Sequence, residues 1–262
     1  MAKRYEVIAD ALRDEIRAGR LAPGDRLPAE ATLVERHRVS LPTVRQALGV
    51  LQAEGLVEKR NGRGDFVRKP RRKVLRSTDR HQWEKDRARA PREERKATGA
   101  TEYDTGLTVS DLVFSAEYRE AKANGELAAA LGVPTGTRLL ERIYRTRCRE
   151  EDAPFDVVRS YLVYDMVAAN PDLLDETNEP WPGGTHSQLF TIGIEVEHVV
   201  EHVTARPPTA EEAQELGITA GASVMVLRKR SIDTMGRVVD VTDVTLPGDR
   251  TEIVFTTTLA KW

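Results

Sequence analysis

The residues between 39 and 54, VSLPTVRQALGVLQAE, carry hydrogen-bond donors at a spacing that suits DNA. Thr43, Arg45 and Gln46 can donate to phosphates or base edges, and arginine can bind guanine O6 and N7 together. The apolar residues among them repeat at i, i+3, i+4 and i+7, as Val44, Ala47, Leu48 and Leu51. This spacing predicts an amphipathic helix. The helix alone favours an ordinary surface helix, so a DNA-reading role depends on its flanks.

The ends of this helix carry residues that commonly cap helices. Ser40 is expected to be the N-cap, with its hydroxyl accepting a hydrogen bond from the first turn. Pro42 suits that turn because its missing N–H has no helical partner there. Gly55 stands where the chain leaves a helix.

The preceding residues predict a helix-turn-helix. A helical stripe begins at Tyr5, and a short helix over 29–37 leads through a tight turn at Arg38 and Val39 into the helix above. Two helices joined by so short a turn are typical of DNA-binding domains, in which the second helix enters the major groove.

The following residues predict a basic hairpin, or wing. A strand starts at Leu56, a tip spans 58–64 and a return strand spans 65–67. Asn61-Gly62 in the tip is the strongest short hairpin signal. Residues 1–70 are therefore expected to form a winged helix-turn-helix that binds double-stranded DNA.

Charge is distributed unevenly along the 262 residues. Residues 1–70 hold 14 Lys and Arg against 10 Asp and Glu, and residues 71–100 hold 11 against 5. Residues 101–262 hold 15 against 27, so a basic front is joined to an acidic remainder. This asymmetry indicates a polyanionic partner for the front.

The cellular compartment is indicated by features that the sequence does not have. The single cysteine, Cys148, excludes an intramolecular disulfide and fits a reducing compartment. The N-terminus has no apolar signal-peptide core, and no run reaches the ~18 apolar residues of a membrane span. We expect a cytoplasmic protein without a membrane partner.

Residues 5–67 resemble the DNA-binding domain of the GntR family of bacterial transcription regulators. The matching segments are Leu21-x-Pro-Gly-Asp25-x-Leu-Pro-x-Glu30, Val39-Ser40-x-Pro-Thr-Val-Arg-Gln-Ala-Leu48, Glu54-Gly-Leu-Val57 and Gly62-Arg-Gly64-x-Phe-Val67. The resemblance implies that Ser40, Thr43 and Gln46 hold phosphates and that Arg45 reads a guanine edge.

The same resemblance places the wing tip, Asn61-Gly62-Arg63, in the minor groove, and Lys59 and Arg60 are expected on the DNA backbone. Many family members have Arg where this chain has Leu41, and some have Arg where it has Ala31. Leu41 is expected either to touch a thymine methyl or to pack inside the domain.

Residues 71–103 predict a basic linker, flexible and partly helical, because they are highly charged and nearly free of periodic apolar residues. An added arm that contacts phosphates is the alternative. Trp83 is expected to pack on a domain.

Residues 104–262 alternate strands and helices. The segments 126–136 and 211–221 both read as a helix, a Leu-Gly turn and the start of a strand. Two such halves suggest one antiparallel sheet flanked by helices, so the whole chain is predicted as α+β.

This region resembles the UTRA effector-binding domain of the HutC subfamily. The resembling residues are Glu126-Leu127 with Leu131-Gly132, Glu141-Arg142, Ser160-Tyr-Leu162, Leu216-Gly217 and Gly236 through Asp249-Arg250. The resemblance implies a chorismate-lyase-like fold that serves effector binding and dimerisation.

A small metabolite, often anionic, is the ligand that this resemblance implies, with Arg142, Arg145, Thr185 and Asp240 as contacts. An arginine pair and a helix N-terminus suit an anion, although each residue alone fits a structural role better. Two polar ligand-facing positions of the subfamily are Val158 and Leu246 here, which points to a less polar effector.

Chemistry other than binding is not indicated. His198-x-x-Glu-His202 matches a zinc motif, but the alternating apolar pattern places it on a strand, where four residues span about 13 Å. No Ser, Cys or His set suits catalysis, and no metal or cofactor is expected.

The sequence thus predicts a homodimeric, metabolite-responsive repressor of an inverted-repeat operator. Two alternatives stay open. One is a dimeric regulator without a ligand, and the other is a small-molecule enzyme of lyase-like fold, which lacks a clear general acid or base.

Overall fold

The computed structural model describes residues 3–60, 62–218 and 221–260. The chain folds into two compact units. The first unit holds the chain up to Arg72, with Pro207–Gln214 and Ile218–Ser223. The second holds Lys73–Arg206, Glu215–Gly217 and the chain from Val224 onward.

Three helices and a hairpin form the N-terminal part of the first unit. They are α1 (Arg4–Arg17), α2 (Glu30–His37), α3 (Leu41–Ala53), β1 (Val57–Arg60) and β2 (Gly64–Val67). The predicted apolar face of α3 is confirmed, because its four apolar residues are buried against Ile8, Leu12 and Leu33. β1 and β2 pair antiparallel, so the unit is a winged helix-turn-helix.

The turn into α3 differs in one detail from the prediction. Ser40 is the N-cap residue, but its hydroxyl makes no cap hydrogen bond and lies 2.9 Å from the hydroxyl of Thr43. The tight turn itself is made by Arg38, which adopts the left-handed conformation with φ 51°. The two hydroxyls thus lie together at the start of α3.

Eight strands belong to the second unit. They are β3 (Val74–Ser77), β4 (Leu112–Lys122), β5 (Arg138–Cys148), β6 (Val157–Val163), β7 (Val196–Arg206), β8 (Val224–Asp233), β9 (Val238–Pro247) and β10 (Thr251–Val254). Six of them form one antiparallel sheet in the order β4-β5-β6-β9-β8-β7. The predicted α+β class is confirmed.

Short helices accompany the sheet. They are α4 (Arg80–Arg87), α5 (Arg92–Ala97), α6 (Ala100–Thr105), α7 (Gly125–Leu131), α8 (Tyr164–Val167) and α9 (Gly184–Phe190), with 3₁₀ turns at Val109–Asp111, Pro171–Leu174 and Glu176–Asn178. A further helix, α10 (Ala210–Glu215), belongs to the first unit up to Gln214. One sheet face packs on α7, where Leu127 and Leu131 meet Leu139. The other face packs on α8 and α9, where Val167 and Leu189 meet Leu140.

From Lys73 onward, the segment predicted as a flexible, partly helical linker is folded within the second unit, so its flexibility is corrected and its helical character agrees with the prediction. β3 pairs in parallel with β10, and α4, α5 and α6 follow it. Buried Arg80 of α4 is ion-paired with Asp104 of α6. The ring of Trp83 lies 4.7 Å from that of Tyr103, so Trp83 packs as expected. The domain limits drawn from the sequence stay predictions.

The start of α9 depends on a glycine. The N-cap residue is Gly183, with φ 90°, and Thr185 lies in the first turn. A Cβ atom at Gly183 would lie 2.9 Å from Cβ of Ser187 and 3.0 Å from Cδ of Arg95. Glycine is needed there both for the backbone conformation and for the close approach of these side chains.

The zinc-like motif lies on a strand, as the alternation predicts. His198 pairs with Ile232 and His202 with Arg228, on the edge strand β7. Across the described ranges, no helix is both long and apolar enough to cross a membrane.

Candidate functional site

The outer face of α3 carries the residues predicted to bind DNA. Arg45 and Gln46 are exposed, and Thr43 is half-buried beside Ser40 at the helix start. Leu41 is 37% exposed, so it lies on this face and is not packed in the core. The structure therefore brings the five predicted α3 residues onto one surface, where Leu41 is available for apolar contact.

Arg45 is oriented by a carboxylate on the preceding helix. Its Nε lies 3.1 Å from both carboxylate oxygens of Glu30, and one terminal nitrogen lies 3.0 Å from Oε2. This pairing uses one edge of the guanidinium. The terminal nitrogens still present N–H donors away from Glu30, in the fork geometry that fits guanine. Glu30 thus fixes the side chain without consuming all of its donors.

The basic side chains of the wing differ in whether other residues of the protein already bind them. Lys59 and Arg63 are exposed, whereas Arg60 donates to Glu58 at 2.8 and 2.6 Å and lies over the ring of Phe66. Gly62 is exposed with φ 72°. The predicted residue Asn61 lies outside the described residues. Lys59 and Arg63 are consequently freer than Arg60 to contact DNA.

A cavity of about 400 Å³ lies in the second unit, bounded by the sheet on one side. Helix α4 and the start of α9 form other walls, and predicted Thr185 is among the lining residues. Residues that line it from the sheet are Phe114, Tyr144, Val158, Ser160, Lys229, Thr242 and Val244. Residues that line it from the other walls include Arg80, Trp83, Glu84, Glu179 and Gln188. The cavity is large enough for a small metabolite.

Arg142 and Asp240 are brought together, as predicted, but beneath the cavity wall. The Arg142 guanidinium donates to Gln188 at 2.5 Å and to the Ser160 hydroxyl at 2.8 Å. Ser160 in turn donates to Asp240 at 2.6 Å. Arg142 is 1% exposed and Asp240 is fully buried. This network holds the floor of the cavity in place.

Arg145 does not join Arg142, so the predicted arginine pair is corrected. The two residues are three apart on β5, and side chains of a strand alternate between faces. Arg142 therefore faces the cavity side, whereas Arg145 lies on the opposite face and pairs with Glu215. The anion site that rested on the pair is not formed by these two side chains.

A second polar network fixes the wall beside α9. One carboxylate oxygen of Glu179 accepts hydrogen bonds from Tyr118, from Tyr144 at 2.8 Å and from Gln188 at 2.9 Å. The other oxygen accepts from the Trp181 N–H at 2.6 Å. Burial raises the pKa of the Tyr144 phenol, so this hydroxyl stays a proton donor. Both carboxylate oxygens of Glu179 thus accept hydrogen bonds from the protein itself.

The pKa values of the titratable groups around α4 are shifted in different directions. Burial acts to raise the pKa of Glu84, but Arg80 and Lys229 outweigh it and lower that pKa. Burial raises the pKa of Asp104 to about 6, despite Arg80. Burial lowers the pKa of His186 to about 4, so this histidine is neutral near pH 7. The wall therefore presents Glu84 as a carboxylate.

Several cavity residues were missed at the sequence level, chiefly Arg80, Glu84, Tyr144 and Lys229. Arg80, Trp83, Glu84 and Arg87 repeat at i, i+3, i+4 and i+7, which marks one helix face, but its members are mostly charged. Tyr144 and Lys229 face the cavity from strands. The alternation of side chains along β5 could have indicated Tyr144, because it is two residues from Arg142 and so lies on the same face of the sheet.

Comparison with known proteins places both units in described families. Residues 4–67 match the family of bacterial regulatory proteins called gntR, and residues 113–252 match the UTRA domain. The two families imply DNA and a small molecule as partners, and a role in regulation rather than catalysis.

Whole-chain relatives agree. An HTH-type transcriptional regulator of Streptomyces coelicolor is 31% identical, over 91% of this chain and 87% of the relative. The HTH-type transcriptional repressor NagR of Bacillus subtilis is 27% identical, over 94% and 91%. A crystal structure of a GntR-family regulator has a TM-score of 0.64 at 27% identity, covering 98% of each chain. The chain belongs to the gntR family of bacterial transcription regulators, in its HutC subfamily with a UTRA domain.

Proposed function

We propose that this regulator is a metabolite-responsive repressor that binds an inverted-repeat operator as a homodimer. The observation that supports this most directly is the exposed polar face of α3, with Arg45 presented by Glu30. NagR, which is similar along nearly the whole chain, is by name a repressor. Two-fold symmetry of a homodimer requires two half-sites of opposite orientation.

Each part of the DNA-binding unit has a distinct task in this proposal. Arg45 reads a guanine, and Leu41 contacts a thymine methyl. Ser40, Thr43 and Gln46 hold phosphates and so fix the register of α3. Lys59 and Arg63 of the wing supply sequence-independent attraction to the DNA backbone.

The cavity supports a ligand-responsive repressor over a regulator that lacks a ligand. Its polar floor and walls are held by hydrogen bonds within the protein, so its shape is preformed. A ligand that binds one conformation of the second unit better than another changes operator affinity by the same coupling energy.

Footprinting of the DNA next to the protein's own gene tests the proposal. We expect protection of two half-sites related by a two-fold axis at moderate salt, and sedimentation of a dimer on the DNA. A library of metabolites screened for thermal stabilisation is expected to contain one that weakens the footprint. If footprinting shows no protected site and a genome-wide binding screen also finds none, the repressor proposal is wrong.

The wing gives a separate expectation. Lys59→Ala and Arg63→Ala should each weaken operator and random DNA by the same factor, and each should reduce the slope of log K against log salt by about 1. The control is Lys122→Ala, at an exposed lysine of β4 in the second unit. Binding titrations at several salt concentrations measure both slopes. A loss confined to the operator would contradict this role.

A further inference from the structure

The sheet face under the cavity is organised in rows across its strands. Arg142 is opposite Ser160, Ser160 is opposite Thr242, and Thr242 is opposite Lys229, so four strands contribute one polar row. Three of its members, Ser160, Thr242 and Lys229, line the cavity. The row continues to Tyr118 of β4, which is opposite Arg142, and to Glu201 of β7, which is opposite Lys229.

The neighbouring row on the same face is mostly apolar. Tyr144 is opposite Val158, Val158 is opposite Val244, and Val244 is opposite Leu227. Each of these lies two residues from its counterpart in the polar row, so both rows face the same side of the sheet. Phe114 and Phe155 extend the apolar surface. A ligand that lies on the sheet therefore has polar side chains beneath one end and apolar side chains beneath the rest.

Most polar groups of the cavity floor are already satisfied by one another. Each terminal nitrogen of Arg142 donates once, to Gln188 and to Ser160, while Ser160 and Thr242 donate to Asp240. Among the described residues, the side chain of Lys229 makes no hydrogen bond, and its Nζ lies 3.6 Å from the nearest carboxylate oxygen, of Asp240. Its side chain is 12% exposed and lines the cavity. An ammonium group has three donors, so Lys229 can still bind an anionic group.

A carboxylate with open acceptors lines the same cavity from α4. Within the part of the chain that the structure describes, the side chain of Glu84 accepts no hydrogen bond, and its oxygen lies 3.6 Å from Arg80. It is 17% exposed, and the charge of Lys229 helps to lower its pKa. Glu84 can therefore bind a cationic donor in the same cavity in which Lys229 binds an anion.

The two open groups carry opposite charges. Each already lies 3.6 Å from an opposite charge of the protein, Lys229 from Asp240 and Glu84 from Arg80. A ligand head group of zero net charge that presents both signs suits both groups. A doubly charged anion such as a phosphate monoester would find Lys229 open, but Arg142 is 1% exposed and lies outside the cavity lining.

We propose that the cavity binds a small zwitterion with an apolar body, in the simplest case an α-amino acid with a large apolar side chain. Its carboxylate accepts from Lys229, its ammonium donates to Glu84, and its side chain lies on the row of Tyr144, Val158 and Val244. This inference rests on the proposed function, because it specifies the ligand class of the same cavity.

The test uses the full-length protein and three probes with one head group, L-leucine, L-phenylalanine and L-tryptophan. At millimolar concentration, at least one should raise the melting temperature by several degrees and bind measurably by calorimetry. The amide of that amino acid, which lacks the carboxylate, and its N-acetyl form, which lacks the ammonium, should bind at least tenfold more weakly.

Two nearly isosteric variants identify the contacts. Lys229→Met and Glu84→Gln should each weaken the amino acid at least tenfold, whereas Arg145→Met, on the opposite sheet face, should not. Lys229→Met should reduce discrimination against the amide, and Glu84→Gln should reduce discrimination against the N-acetyl form. If a variant fails to fold, the wild-type protein still tests the contacts, because its affinities for the amino acid, the amide and the N-acetyl form can be compared without a substitution.

Failure of this inference is distinguishable from failure of the proposed function. If none of the three amino acids stabilises the protein, or if the amide and N-acetyl forms bind equally well, the zwitterion is wrong. A protected operator together with stabilisation by another metabolite would then leave the repressor proposal standing. Absence of both the footprint and any stabilising metabolite would remove the repressor itself.

Discussion

Asp240→Ala should destabilise the second unit by about 3–5 kcal/mol, the usual cost of removing one partner from a buried charge pair. Asp240 is fully buried, and it accepts from Ser160 at 2.6 Å and from Thr242 at 2.8 Å. Its burial acts to raise its pKa, but Lys229 and Arg142 outweigh that effect and lower it. Without the carboxylate, two largely buried cations lose their nearest opposite charge.

Denaturant unfolding followed by tryptophan fluorescence measures this loss. Trp83 and Trp181 both lie in the second unit, and the first unit contains no tryptophan, so the signal reports the second. The control is Asp243→Ala on the same strand. Asp243 pairs with Arg228 on the opposite face, where both side chains are partly exposed, and we expect a cost of about 1 kcal/mol or less. Equal losses for the two variants would contradict the structural role of Asp240.

Arg45→Ala should weaken operator binding by roughly tenfold to a hundredfold and relax the preference at one base pair. The physical reason is that its guanidinium, held by Glu30, presents paired donors that match guanine O6 and N7. Gln46→Ala is the matched comparison on the same face. Since Gln46 is expected to hold a phosphate, its loss should weaken all sequences alike.

Binding to an operator series with each base substituted in turn separates the two roles. For the wild type, one guanine position should show a strong penalty that disappears in Arg45→Ala. A uniform loss across the whole series would mean that Arg45 serves only as a positive charge. Fold should be unaffected, because the ion pair of Arg45 with Glu30 is at the surface, with the Arg45 side chain 62% exposed.

Local signals carried most of what the sequence could predict. The apolar spacing of α3 and the Asn-Gly tip of the wing each act within a few residues. The structure has the same buried face of α3. Such features depend on neighbours along the chain, so a single sequence suffices to find them.

The cavity was harder to predict because its parts come from distant segments. Helix α4 turns charged residues inward, so hydrophobic periodicity did not reveal it, and residues 71–103 were interpreted as a linker. Arg145 was paired with Arg142 although three residues on a strand reverse the face. Lys229 and Glu84 meet one cavity only after β8 and α4 have packed, which no local pattern indicates.

The charged inner face of α4 has a consequence for how this regulator can diversify. Among its residues only Arg80 is buried, so the helix contributes almost nothing to the hydrophobic cores. Substitutions at Glu84 or Arg87 therefore alter the chemistry offered to a ligand without opening a void in a hydrophobic core. New specificities can be selected on this helix while the sheet and the DNA-binding unit are left unchanged, which makes α4 the natural place to engineer a sensor.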